Sequence, residues 1–299
     1  MRFGIVLFAL IIVSAVLLAA VPPPQEQEDV RGAFLTSRPK EKTENPNPVA
    51  RPNRRKPKPT PSPTPKATAS PKGPTPTPPK QDSTPARVNT QRIGIGLTLF
   101  TRDPNGLAVR VDPTHVFHRG DRVRVLLETN SDGYLYIFNT TNNGPPVMVY
   151  PDPELDEAGN YLQAHVPLEI PSSLAAQERL RWLVFDEHDG DERLYFVFSS
   201  AALPGVPIED DLISYCREAK PACPWRPATE VWARIQQKLQ QPLQTDKAEH
   251  YGKAQTDAER QATTRGIGLA KADAEPSLIM MVASSSNTTL VTTLDLVHR

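Results

Sequence analysis

Fourteen prolines lie between Pro46 and Pro85, in text such as "RPNRRKPKPTPSPTPKATASPKGPTPTPP", and they constrain this chain more than any other feature. Proline fixes φ and lacks a backbone donor, so neither a helix nor a central strand can run through such a stretch. The stretch also holds almost no large apolar side chain and therefore cannot bury a core. Residues 22–91 read as an extended, disordered tether. As polyproline II its roughly 70 residues reach ~200 Å, and as a random coil about 45–50 Å.

The formal net charge of zero conceals an asymmetry. From Arg38 to Arg92 thirteen Lys and Arg face three acids, a net of +10. From Ile93 to Arg299 nineteen basic residues face twenty-eight acids, a net of −9. A basic arm is joined to an acidic body, which points to anionic surfaces as one possible partner class for the arm. The competing reading is a stiff solvated spacer.

Residues 1–21 begin Met-Arg and continue as the uncharged run "FGIVLFALIIVSAVLLAAV". A short positive end and an apolar middle make a secretory signal or an uncleaved signal anchor. The run would give roughly 28 Å of helix, close to the ~30 Å hydrocarbon core. Either reading sends the rest of the chain across the membrane, to a periplasm-facing or secreted location. Cys216 and Cys223, the only cysteines, have six residues between them in "CREAKPAC", and export favours a small-loop disulfide. No His or third Cys stands at metal-ligand spacing beside them.

From Ile93 the text changes to strand grammar. "IGIGLTLF" is short and apolar, and "DRVRVLLET" alternates, with Val123, Val125 and Leu127 opposite Arg122, Arg124 and Glu128. That alternation predicts a strand with one buried and one solvent face. In "YLYIFN", Tyr134, Tyr136 and Phe138 share one face and Leu135 and Ile137 the other, so this strand should lie centrally with both faces covered. Further strands are predicted at 147–150, 161–170, 181–186 and 194–198, with Asp189-Gly190 as a hairpin turn before the last. Residues 92–203 thus read as an all-β, antiparallel, immunoglobulin-like β-sandwich. Residues 204–299 read as a helical extension, with helices at 208–219 and 227–241, a polar loop at 242–264, and two terminal strands packing on the sandwich.

The order of motifs resembles a known family. "FHRGDRVRVLLETNSDGYLYIFNTTNNG", then "VYPDP", "HVPLEIP" and "DGDERLYFVFSS", is similar to bacterial domain-of-unknown-function family 4384 over about residues 94–203. The matching positions are Phe117, Gly120, Asp121, Asp132, Gly133, Tyr134, Tyr150, Pro151, Ile170, Pro171, Gly190 and Glu192. The resemblance implies an exported or envelope-associated β-domain, sometimes joined to signalling or protease modules. It implies no catalytic residue.

The aromatic strand could be a stacking platform for sugars or bases, but Leu135 and Ile137 behind it favour a core strand. The acidic run 186–192 matches a calcium loop poorly. There is no Gly-x-Ser-x-Gly, no His-Glu-x-x-His and no phosphate loop. The reading is a non-catalytic envelope protein without cofactor or metal, presenting a β-sandwich on a basic tether. Its expected partner is an envelope protein or wall polymer, with a membrane contact through residues 3–21 and no nucleic acid. One alternative is an envelope hydrolase assembled from dispersed acids and His188. The other is an anionic-polymer binder acting through the tether.

Overall fold

A computed structural model describes residues 29–41, 92–153, 159–188, 190–218 and 223–299. The apolar run 3–21 and the proline-rich stretch 42–91 lie outside these residues. Among the described residues, thirteen strands form two sheets. The first contains β1 (Gly94–Arg102), β2 (Ala108–Val111), β4 (Arg122–Thr129), β8 (Leu168–Ile170), β9 (Leu183–Val184), β11 (Leu243–Lys247) and β12 (Leu278–Val282). Its main path runs β11-β12-β1-β4-β8, with β2 on β1 and β9 on β4. The second contains β3 (Val116–Phe117), β5 (Gly133–Thr141), β6 (Val147–Tyr150), β7 (Tyr161–Leu162), β10 (Gly190–Ser199) and β13 (Thr289–His298). Its path runs β3-β13-β10-β5-β6, with β7 on β5, and all pairings in both sheets are antiparallel except β3 on β13.

The sheets face each other across one apolar core. Leu97 and Leu99 of β1, with Val125 and Leu127 of β4, meet Leu135 and Ile137 of β5, Phe196 and Phe198 of β10, and Leu290 and Leu294 of β13. The period-2 alternation explains this, because every second residue of each strand points inward. The other face of β5 carries Tyr136 and Phe138, both fully buried. What covers them is not a sheet. It is a layer of two helices, α2 (Glu209–Glu218) and α3 (Thr229–Leu239), with Leu212, Trp225, Val231 and Ile235 in contact. The Tyr136 hydroxyl accepts a hydrogen bond from the Leu203 amide (3.0 Å). The central, doubly covered strand predicted from "YLYIFN" is therefore present, and the helical extension supplies one of its covers.

Five expectations need correction. Residues 29–41, assigned above to the tether, form α1 (Val30–Thr36) and its continuation, packed on the first sheet with Phe34 and Arg38 buried. The tether reading can extend only over 22–28 and 42–91, which lie outside the described residues. Arg124 and Glu128, placed on a solvent face, are buried: Glu128 beneath Arg38 and His165, and Arg124 against Trp182 and the Arg181 carbonyl. Alternation reveals which face is polar but not whether a further layer lies over it. The strand predicted at 161–170 is two short strands in different sheets, β7 and β8, and residues 183–199 likewise cross from β9 in the first sheet to β10 in the second rather than forming a hairpin. Residues 242–264, read as a loop, hold β11 and most of α4 (Asp257–Arg265); Thr256 and Glu259 make a reciprocal capping box and Gly266 closes the helix at φ 64°.

The terminal strands complete the sandwich as expected. β13 pairs with β10 over ten residues and stands between it and β3, while β12 flanks β1. Neither sheet is whole without the last part of the chain.

Candidate functional site

The motif residues divide into two groups. Those near the start hold turns and close approaches. Phe117 is fully buried and stacked on Phe185, with ring centroids 4.6 Å apart. Gly120 sits at φ 87°, where an L side chain is disfavoured. The Asp121 carboxylate accepts from the His118 amide (2.9 Å), and Asp132 accepts from the Ala164 amide (2.8 Å). Gly133 has no room for a side chain, since a Cβ there would come within 2.6 Å of the Ser199 carbonyl oxygen. Tyr134 is half-buried and packs edge-on against Tyr161. These residues build the fold.

The remaining six, Tyr150, Pro151, Ile170, Pro171, Gly190 and Glu192, all line one cleft. It has a volume of about 530 Å³ and opens where β6, β8, β9 and the start of β10 leave the edge of the sandwich. That volume is in the ordinary range for ligand pockets. Tyr150-Pro151, Ile170-Pro171 and Cys223-Pro224 are cis peptides, and all three prolines face this cleft. The walls are mainly apolar, with Phe185, Phe196 and Trp225 among them. Val184, 54% exposed, stands at its rim beside Leu183.

Among the described residues, the charged side chains that line the cleft are carboxylates. They are Asp152, Asp186 and Glu192. Glu192 is held by donors from Asn139 Nδ2 (2.6 Å) and Thr141 Oγ1 (2.9 Å). The His188 backbone amide and then its imidazole hold the Asp186 carboxyl below its usual range. His188 itself is exposed and meets only this carboxylate in the cleft rim (3.3 Å). Among the described residues no group of three or more His, Cys, Asp or Glu could hold a metal ion.

Cys216 and Cys223 are disulfide-bonded, with Cα atoms 5.3 Å apart, and both line the cleft on the α2 side. The bond ties the end of α2 to the segment carrying Trp225. Replacing both cysteines by serine is expected to lower stability by about 2 kcal/mol, the loop-closure value for so short a loop. Urea unfolding of the native and double-serine chains would measure it; equal midpoints would show that the bond constrains nothing.

A second constellation escaped the sequence reading. Ser37 Oγ lies 2.7 Å from His165 Nε2, and His165 Nδ1 lies 2.7 Å from Glu128 Oε1. The order serine, histidine, carboxylate matches a catalytic triad in outline. Its setting does not. Ser37 caps the C-terminal end of α1, where the helix carbonyls oppose a developing oxyanion. Its hydroxyl also reaches the Phe34 carbonyl (2.8 Å), Glu128 is shared with Arg38, and the site lies outside the cleft. His165 adopts φ 60°, a conformation that costs on the order of 1–3 kcal/mol. Backbone bonds to Thr129 and Leu269 hold it there. No local pattern in the sequence signals this group, because its members are contributed by segments 37, 128 and 165.

Residues 116–202 match the family model for Domain of unknown function (DUF4384), the family whose motif order the sequence displays. No curated protein and no solved structure matches the chain. The matched span runs from β3 to just beyond β10, so it contains every motif residue of the cleft. It omits β1, β12 and β13, which the two sheets need.

Proposed function

We propose that this chain is a non-catalytic cell-envelope protein whose β-sandwich body recognises an envelope component through the cleft. The observation that carries the reading is the convergence of six motif residues on one apolar cleft with an exposed valine at its rim. Exposed apolar surface bordering a pocket is characteristic of binding sites. The apolar run 3–21 and the cysteine pair support an exported location. An envelope protein or a wall polymer is the partner class.

The test is co-sedimentation of residues 22–299, which include every described residue, with purified cell-wall sacculi. Val184→Glu puts a charge at the cleft rim without disturbing a buried contact. It is expected to abolish retention while leaving the circular dichroism and unfolding midpoint unchanged. Retention undiminished by Val184→Glu would remove the cleft from the reading.

A second reading rests on the charge asymmetry. The basic stretch 42–91 carries ten Lys and Arg against two acids and suits an anionic polymer. Binding of that kind weakens steeply with salt, whereas capture by an apolar cleft does not. Replacing 42–91 with an uncharged linker of equal length distinguishes the two.

A further inference from the structure

We infer that residues 29–41 are a docked strap, a peptide ligand carried by the chain itself, and that the groove holding them on the outer face of the first sheet is a distinct binding site. The inference is independent of the cleft. Fifty residues, 42–91, separate this segment from the rest of the body, yet its contacts are those of an integral element.

The ligand has two anchors one helical turn apart. Phe34 is fully buried against Ile279 and Met281. The floor beneath it is β1, and Gly94 and Gly96 lie under crowded packing: a Cβ on Gly94 would meet Met281 at 2.7 Å and one on Gly96 would meet Pro276 at 2.4 Å, with the Phe34 ring 3.2–3.3 Å from either. The alternating glycines of "IGIG" thus mark a close approach, as isolated strand glycines often do. Arg38 is the second anchor, with its side chain fully buried. It forks onto Glu128, Nε to Oε1 at 2.8 Å and Nη2 to Oε2 at 2.6 Å. Its remaining donors meet the carbonyls of Ala270, Asp273 and Ala274 at 3.1–3.2 Å. All five guanidinium N–H groups are therefore used, which is the most an arginine can make.

The edges of the groove add polar contacts. Arg31 reaches Asp246 (2.6 Å), Glu275 (3.1 Å) and the Pro276 carbonyl (3.0 Å). The Lys271 amide donates to the Pro39 carbonyl (3.0 Å). The Ser37–His165–Glu128 chain belongs here as well: it joins the strap to the carboxylate that receives Arg38.

Docking changes what the proline-rich stretch does. With the strap seated, only residues 22–28 separate the apolar run from the body, a reach of ~20 Å at full extension. With the strap released, residues 22–91 separate them, a reach of ~200 Å. The strap therefore decides whether seven residues or seventy connect the body to the run 3–21. Covalent connection gives the strap an effective concentration of order millimolar at its groove. Release therefore requires a competing peptide of the same chemistry, an apolar ring followed one turn later by arginine, or mechanical load.

The test begins with the chain 22–299 carrying a protease site after Thr64. After cleavage the two halves are expected to co-elute on size exclusion, held only by the strap. The large half is then separated under mild denaturant, refolded, and titrated with a fluorescent peptide of residues 26–41. The native peptide is expected to bind and to restore co-migration. The Arg38→Ala peptide is expected to bind at least about a hundredfold more weakly, the loss typical of an uncompensated buried carboxylate. The substitution sits in the peptide alone, so the body is identical in both arms. Halves that part on cleavage without denaturant, or equal binding by native and Arg38→Ala peptides, would overturn the inference.

Discussion

Replacing Glu128 with alanine is expected to cost about 3–5 kcal/mol of folding stability, the usual penalty for breaking a buried ion pair from one side. The size follows from what the carboxylate serves. It accepts both arms of the Arg38 fork and the Nδ1 of His165, and it is 2% exposed. Its removal leaves a fully buried guanidinium with no counter-charge and an imidazole without its partner. Surface ion pairs in the same protein set the contrast. Arg193 and Asp295 face each other across β10 and β13 at 2.5 Å, yet both are more than two-fifths exposed, and Asp295→Ala should cost at most about 1 kcal/mol. Urea unfolding of the two variants beside the native chain checks the difference. Equal, small losses would mean that water reaches Glu128 in solution and that the covering layer is looser than its contacts imply.

That covering layer is the part of the fold least legible in the sequence, and the reason is physical. Strand positions and inward faces follow from alternation along a short window, and 94–102, 122–129, 133–141 and 190–199 are all strands where the pattern predicts them. The aromatic strand is central because both of its faces are apolar, which is visible in six letters. Layers formed by distant segments leave no such trace. Arg124 and Glu128 look like solvent residues until Trp182, whose ring lies 4.1 Å beneath the Arg124 guanidinium, and Arg38, ninety residues away, are brought to them. α1 and α4 were hidden for different reasons. α1 stands before a proline-rich stretch and carries only two buried apolar residues, too few for a helical period. α4 has only two alanines as apolar residues, too little for a helical period, but Thr256-x-x-Glu259 followed by Gly266 was a capping signal available in the sequence.

The candidate site was half legible. Tyr150, Pro151, Ile170, Pro171, Gly190 and Glu192 were visible as family motifs, whereas their convergence was not. They come from three segments on two sheets, and the chain between them changes sheet twice. A motif reading treats Gly190 and Glu192 as a hairpin feature. The observed crossing from β9 to β10 makes them a cleft wall instead. The same crossing leaves Leu183 and Val184 on an edge with their side chains exposed.

Phe138→Ala is expected to be the most damaging single truncation on the helical side of the second sheet, at about 3–5 kcal/mol. Phe138 is fully buried, and its ring lies 5.7 Å from the ring of Trp232 and 6.4 Å from that of Trp225. Tyr195 adds an edge contact to Trp232 at 4.8 Å, so one aromatic cluster joins β5 and β10 to α3 and to the segment after the disulfide. Truncation opens a cavity under two tryptophans that cannot both close on it, because each is fixed by a different element. A lowered urea midpoint together with red-shifted tryptophan emission is the expected signature. Tyr134→Ala, on the same face but half-buried at the strand's start, should cost appreciably less. The pair of variants settles what the aromatic stripe is for. A ligand platform would tolerate Phe138→Ala in stability and lose binding, while a core strand loses stability first. Two stability losses ranked as their burial ranks them make the stripe the seam between sheet and helices.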